Sequence, residues 1–173
     1  LEQSCLCRHY SLLAGDTLAA IRAEDFSASA YYLLDNADSC IAIKERCAEL
    51  YLVHGETLRF AEAHSALTAF YLESGAVQKA ATSLAKTEQT KEFFLPNGNV
   101  IGGREIFYYN KGLLHLAEGD TEKAEQCFRR LAVVADTNVN KRIAAARGLA
   151  LLFEKKGMAD STAKYAMMAY ALN

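Results

Sequence analysis

The feature that most constrains this chain is its punctuation. Glycines at Gly15, Gly55, Gly75, Gly119 and Gly157 interrupt an otherwise helical pattern, and the one proline, Pro96, falls in a single short segment. Between these stops, apolar residues recur with the helical period. Over 57–74 they are Phe60, Ala63, Leu67, Phe70 and Tyr71, and over 121–135 they are Ala124, Cys127, Phe128, Leu131 and Val134. Alternating strand patterns are almost absent. A glycine suits the left-handed residue just past a helix end, and Asp120 behind Gly119 suits the cap of the next helix. Turns this short force sequential helices to lie antiparallel, so the expected fold is all-α, a series of helix hairpins.

The expected helices span 1–13, 16–23, 26–54 with a break near Asp38, 57–74, 76–91, 104–118, 121–135, 139–156 and 159–172. Residues 93–105, FFLPNGNVIGGRE, depart from the pattern. An Asn-Gly turn and a Gly pair take the chain out of helix there, while Phe93, Phe94, Leu95, Val100 and Ile101 are too apolar for a free loop. The segment reads as a loop folded back as a lid on its neighbouring helices, with a binding surface as the sharper alternative. Its glycines lack the Gly-Lys-Ser/Thr ending of a phosphate loop.

At 173 residues, 51% hydrophobic and 23% charged, the chain can bury a real core, and no Pro- or Gly-rich linker divides it, so one domain over 1–173 is expected. A net charge of -2 provides no field for a polyanion. The basic residues Lys141, Arg142, Arg147, Lys155 and Lys156 alternate with apolar ones at helical spacing and read as a solvated face, so no nucleic-acid partner is expected. Five scattered cysteines do not form a disulfide framework and read as reduced or buried thiols, which points to a reducing compartment such as the cytoplasm. No stretch reaches the length of a membrane span. The chain opens on Leu1 rather than Met, as an excised segment of a larger protein would.

Gly75, Gly119 and Gly157 share surroundings. Five residues after each stands a small residue (Ala80, Ala124, Thr162), four before each an aromatic or His (Tyr71, His115, Phe153), and seven before each another small residue (Thr68, Gly112, Ala150). If about ten residues of the 93–105 loop are an insertion, the first interval shortens to roughly 34 residues. On these residues the chain resembles the tetratricopeptide repeat (TPR) family. In the best copy Tyr108 takes the family's Trp position, Gly112 its first small residue, His115 its Tyr, Gly119-Asp120 the turn, Ala124 the tight Ala and Phe128 the second-helix aromatic. Lys111 stands where Leu is usual and Asp136 where Pro is usual, and His64 and Ala146 replace the Trp in the other copies. Residues 57–91, 104–136 and 139–173 read as repeat-like hairpins, 92–103 as an inserted loop and 1–55 as divergent N-terminal helices.

The resemblance implies an α-α superhelix, a TPR-like solenoid whose concave groove is lined by the first helix of each pair. The residues it places there are Ser65, Ala69, Leu72, Tyr109, Asn110, Leu113, Leu116, Arg147, Leu151 and Glu154. Tyr109, Asn110 and Arg147 are the first choices for ligand contact. One subclass grips a C-terminal carboxylate with a Lys/Asn/Asn/Lys/Arg set. Only Asn110 matches it, since Ser65, Ala69, Ala144 and Gly148 occupy the remaining positions.

Catalytic and metal chemistry find little support. Cys7 points away from the helical face shared by Cys5 and His9, no second cluster completes a closed tetrahedral site, and Cys40 and Cys47 are read as core positions. His115 occupies a packing position, His54 fits a helix C-terminus, and His64 near Glu62 and Ser65 forms no triad. Glu118, Asp120, Glu122 and Glu125 read as solvated. The expected function is a non-catalytic protein-interaction scaffold without cofactor or metal, binding a peptide or partner helix. The alternative is a sensory or dimerisation segment of a larger regulator, with a second copy of the chain as partner.

Overall fold

The structure, a computed structural model, describes residues 1–135 and 138–172, so the Asp136 position lies outside the described residues. Nine α-helices are described: α1 Glu2–Leu13, α2 Thr17–Leu33, α3 Ala37–Val53, α4 Thr57–Glu73, α5 Val77–Gln89, α6 Ile106–Glu118, α7 Thr121–Val134, α8 Val139–Lys155 and α9 Ala159–Ala171. A 3₁₀ turn at Lys91–Phe93 follows α5, and an antiparallel bridge between Phe94 and Val100 is the only β-pairing among the described residues. The helices fall into two compact units, Leu1–Phe93 and Phe94–Asn173.

In unit 1, α2, α3 and α4 are each 17 residues long and start 20 residues apart. They and α1 end the same way. The left-handed residue is Gly15, Asp35, Gly55 or Gly75, with φ of 74°, 58°, 72° and 75°. The next backbone N–H returns to a carbonyl five residues back: Asp16 to Ser11 (2.9 Å), Asn36 to Tyr31 (3.0 Å), Glu56 to Tyr51 (2.8 Å) and Ala76 to Tyr71 (2.7 Å). This reversal gives a partner to a carbonyl that the helix end leaves unbonded. Unit 2 uses it again at Gly119 and Gly157, where Asp120 N–H reaches His115 (2.8 Å) and Met158 N–H reaches Phe153 (2.9 Å).

One expectation for unit 1 is corrected. The chain does not break between 23 and 26, because α2 runs unbroken through Glu24 and Asp25 to Leu33. These acids are interior helix residues held by cations: Glu24 by Arg8 (3.2 Å) and Arg46, Asp25 by Lys44 (2.6 Å). The real break, at Leu34–Asn36, lies close to the one expected near Asp38. It is hidden from a glycine search because Asp35 takes the left-handed position, while Asn36 caps α3 by accepting from the Ser39 N–H at 3.1 Å. Helix starts in unit 1 recur every 20 residues from α2 to α5.

Ala28, Ala48 and Thr68 on α2, α3 and α4 are each fully buried and each stand seven residues before a left-handed position. Cys40 and Cys47 are core residues, as the sequence indicates. Ile21, Cys47 and Tyr51 form a cluster that Leu18, Ile43, Leu50 and Phe60 pack against. Tyrosine hydroxyls tie neighbouring helices together, since Tyr51 donates to Asp25 (3.3 Å) and Tyr71 donates to Glu45.

Unit 2 is built around Phe128, which is fully buried among Leu116, Ala124, Leu149, Leu152 and Phe153. Its ring lies so close to two glycines that a Cβ at Gly112 would come within 2.5 Å of it and one at Gly148 within 2.3 Å. Gly112 thus has the close-approach role read from the sequence, and Gly148 has an equal one that the sequence reading missed. The 93–105 segment is shared between the units: Phe93 is buried in unit 1, where its 3₁₀ turn meets α4 and α5. In unit 2, Val100 is buried and donates its N–H to the Tyr108 hydroxyl at 3.2 Å, while the Phe94 and Phe107 rings meet edge to face. A folded-back segment was expected, and each end is packed in that way.

Candidate functional site

The residues expected to line the groove have different fates. Ser65 and Asn110 are 5% exposed and engaged within the fold, so neither presents its side chain at a surface. Leu113 is half-buried against the Phe128 cluster. Tyr109, Arg147 and Leu151 come together in unit 2, in a cleft of about 490 Å³ between α6, α8 and α9. Tyr109 rests on the core, its ring 5.9 Å from that of Phe128, and also faces the cleft. Arg147, Leu151 and Glu154 line it from successive turns of α8, a consequence of i, i+4 and i+7 spacing on one helix. From α9 come Thr162, Ala166, Ala169 and Tyr170, none of which was read as a site residue. The signal available was the same spacing, 162, 166, 169 and 170, on the last predicted helix.

The electrostatics single out one cation of this cleft. Among the basic residues read as a solvated face, Lys141 pairs with Glu105, Lys156 pairs with Glu125 at 2.6 Å, and Lys155 donates to the Leu116 carbonyl. Arg142 and Arg147 have no ion pair among the described residues, and of these two Arg147 is the exposed one and faces this cleft. Tyrosine and arginine are enriched among the side chains that carry binding energy in protein interfaces, and here they flank an apolar leucine on a concave surface.

The acidic residues near the α6–α7 turn have structural partners. Asp120 caps α7, accepting from the Lys123 N–H at 3.0 Å and pairing with its ammonium at 2.8 Å. Lys156 and then Arg129 hold the Glu125 carboxyl below the usual carboxylate range. His115 is half-buried, with Nδ1 3.3 Å from a Glu118 carboxylate oxygen, and His54 is the C-terminal cap residue of α3. His64 is engaged with neither Glu62 nor Ser65. Its Nδ1 lies 3.1 Å from the Ser83 hydroxyl across the α4–α5 hairpin. Burial, reinforced by Lys86, lowers its pKa to about 4, so the ring is neutral at neutral pH. Among the described residues no group of His, Cys, Asp and Glu is arranged to hold a metal ion, and no helix is long and apolar enough to cross a membrane.

Comparison with known proteins places the fold. Neither a family model nor a curated protein matches the chain. Among solved structures, the crystal structure of the nearly identical TPR-like repeats of a Podosopora anserina protein described as a kinesin light chain superposes with a TM-score of 0.60. A single-substitution variant of it gives 0.62. Each is 16% identical to this chain and covers 99% of it and 85% of its own length. The likeness is one of fold, and it defines the class: an all-α, TPR-like repeat of antiparallel helix hairpins, in agreement with the resemblance read from residues 104–136.

Proposed function

We propose that the chain is a non-catalytic protein-interaction scaffold, and that the cleft of α6, α8 and α9 receives a segment of a partner protein. The supporting observation is the convergence of Tyr109, Arg147, Leu151 and Tyr170 on one concave surface of about 490 Å³. A TPR-like fold is a frequent host for such surfaces, and that analogy is secondary to the site itself. The partner segment presents an apolar side chain to Leu151 between the two tyrosines and a carboxylate to Arg147. The carboxylate gains a charge-assisted bond there, and Glu154 two turns along α8 discriminates against a second acidic group.

A peptide array probed with the purified chain tests this reading. Peptides that bind share an acidic and a large apolar residue, and the combined Arg147→Ala and Leu151→Ala substitutions weaken them by about a hundredfold, the expected loss of two central contacts. Undiminished binding by this variant contradicts the proposal. Selection of a second copy of the chain, seen as dimer formation in sedimentation, would favour the dimerisation role instead.

A further inference from the structure

Unit 1 holds a second cleft, of about 640 Å³, walled by α3 and α5 with α4 between them, and nothing assigned so far uses it. Its walls carry opposite charges. On α3 stand Glu45 and Glu49, and on α5 stand Lys79 and Lys86; the third cation, Arg46, is occupied by Glu24. Glu49 and Lys86 approach to 3.7 Å and largely neutralise each other. Glu45 and Lys79 do not meet, because Tyr71 lies between them. Its hydroxyl donates to Glu45, while the Lys79 ammonium sits 5.5 Å from the centre of its ring. Neither Glu45 nor Lys79 forms an ion pair among the described residues, although both face the same cleft.

A second observation comes from His64, which also lines the cleft and is 5% exposed. With Nδ1 committed to Ser83, its Nε2 is the one buried side-chain nitrogen or oxygen without a hydrogen-bond partner among the described residues. Leaving such a group unbonded is costly, so the position calls for an explanation.

We propose that this cleft binds a zwitterion, a ligand carrying an ammonium and a carboxylate together. The ammonium pairs with Glu45 and the carboxylate with Lys79. A lone anion would face Glu45 and Glu49, and a lone cation would face Lys79 and Lys86, so only a ligand with both charges is favoured at each wall. His64 lines the same cleft, so its ring reports on occupancy. Free amino acids and short peptides with both ends free carry both charges, and the volume admits either.

Nuclear magnetic resonance titration of the whole chain separates the sources and tests the claim. The probes are L-alanine, free-ended tetra-alanine, and tetra-alanine acetylated and amidated at its ends. The zwitterions are expected to cause saturable shifts at the His64 ring and the Thr82 amide, and the doubly blocked peptide to bind about tenfold more weakly or not at all. Saturation by L-alanine identifies a free amino acid, and saturation by tetra-alanine alone identifies peptide ends. Glu45→Gln and Lys79→Gln, at exposed positions that leave the helices intact by circular dichroism, each weaken binding about tenfold. No saturable shift at about 10 mM of either zwitterion overturns the proposal, as does equal binding of the blocked peptide or indifference to both substitutions.

Discussion

The two units solve one problem with different materials. Both must hold antiparallel hairpins together and both end helices with the same left-handed turn, yet unit 1 joins its long, evenly spaced helices through polar side chains. Tyr51 and Tyr71 reach carboxylates on the preceding helix, and Glu24 and Asp25 gather Arg8, Arg46 and Lys44. Unit 2, where α6, α7 and α9 are 13, 14 and 13 residues long, concentrates its packing on one ring, Phe128, pressed against two glycines. A distributed set of polar links tolerates the loss of any one. A single close-packed centre does not.

The largest expected effect follows directly. Phe128→Ala leaves a cavity in the centre of unit 2 and should cost about 3–5 kcal/mol, and Gly148→Ala, which forces a methyl into the same ring, about 1–3 kcal/mol. Hydrogen exchange should show α6–α9 losing protection in both variants while α2–α4 keep theirs. Equal loss in the two units would break the contrast.

Acidification should act on unit 1. An unfolded histidine titrates near pH 6.5, whereas folded His64 is held to about 4, so the unfolded chain binds the extra proton between those values. The stability associated with neutral His64 is full above about pH 6.5 and declines as pH falls, levelling below about pH 4, a total of about 3 kcal/mol. Urea unfolding of the wild type and His64→Gln at pH 7 and at about pH 4.5 measures this, and the gap between them should narrow by about 2–3 kcal/mol. The smallest effect is expected at Asp35, the non-glycine residue in the left-handed turn with φ 58°. Asp35→Gly should raise stability by no more than about 1 kcal/mol, visible as a small rise in Tm.

The contrast also explains what could be read in the sequence. Unit 2 was legible because its code is made of distinctive residues: Gly112, Gly119, Ala124 and Phe128 occupy the roles their chemistry suggests. Unit 1 carries an equally regular code in common residues. Tyr31, Tyr51 and Tyr71 each stand four residues before a left-handed residue, but the first of these, Asp35, is not a glycine, and the adjacent acids Glu24 and Asp25 imitate a helix boundary. The candidate site was legible in part. Tyr109, Arg147 and Leu151 share a cleft because helical spacing fixes which residues share a face. The burial of Ser65 and Asn110 depends on what the neighbouring helices bring against them, and no single-helix periodicity encodes that. Tyr170 was missed for the complementary reason, since only folding brings α9 opposite Tyr109 and α8.

The central claim is that unit 2 presents the partner-binding surface. Amide hydrogen exchange of the chain, free and saturated with a peptide selected on the array, addresses it most directly. The account predicts added protection at 147–154 and 162–170 together with the α6 segment around Tyr109, and its loss when Arg147 and Leu151 are replaced by alanine. Protection confined to other segments, or unchanged by those substitutions, would contradict it.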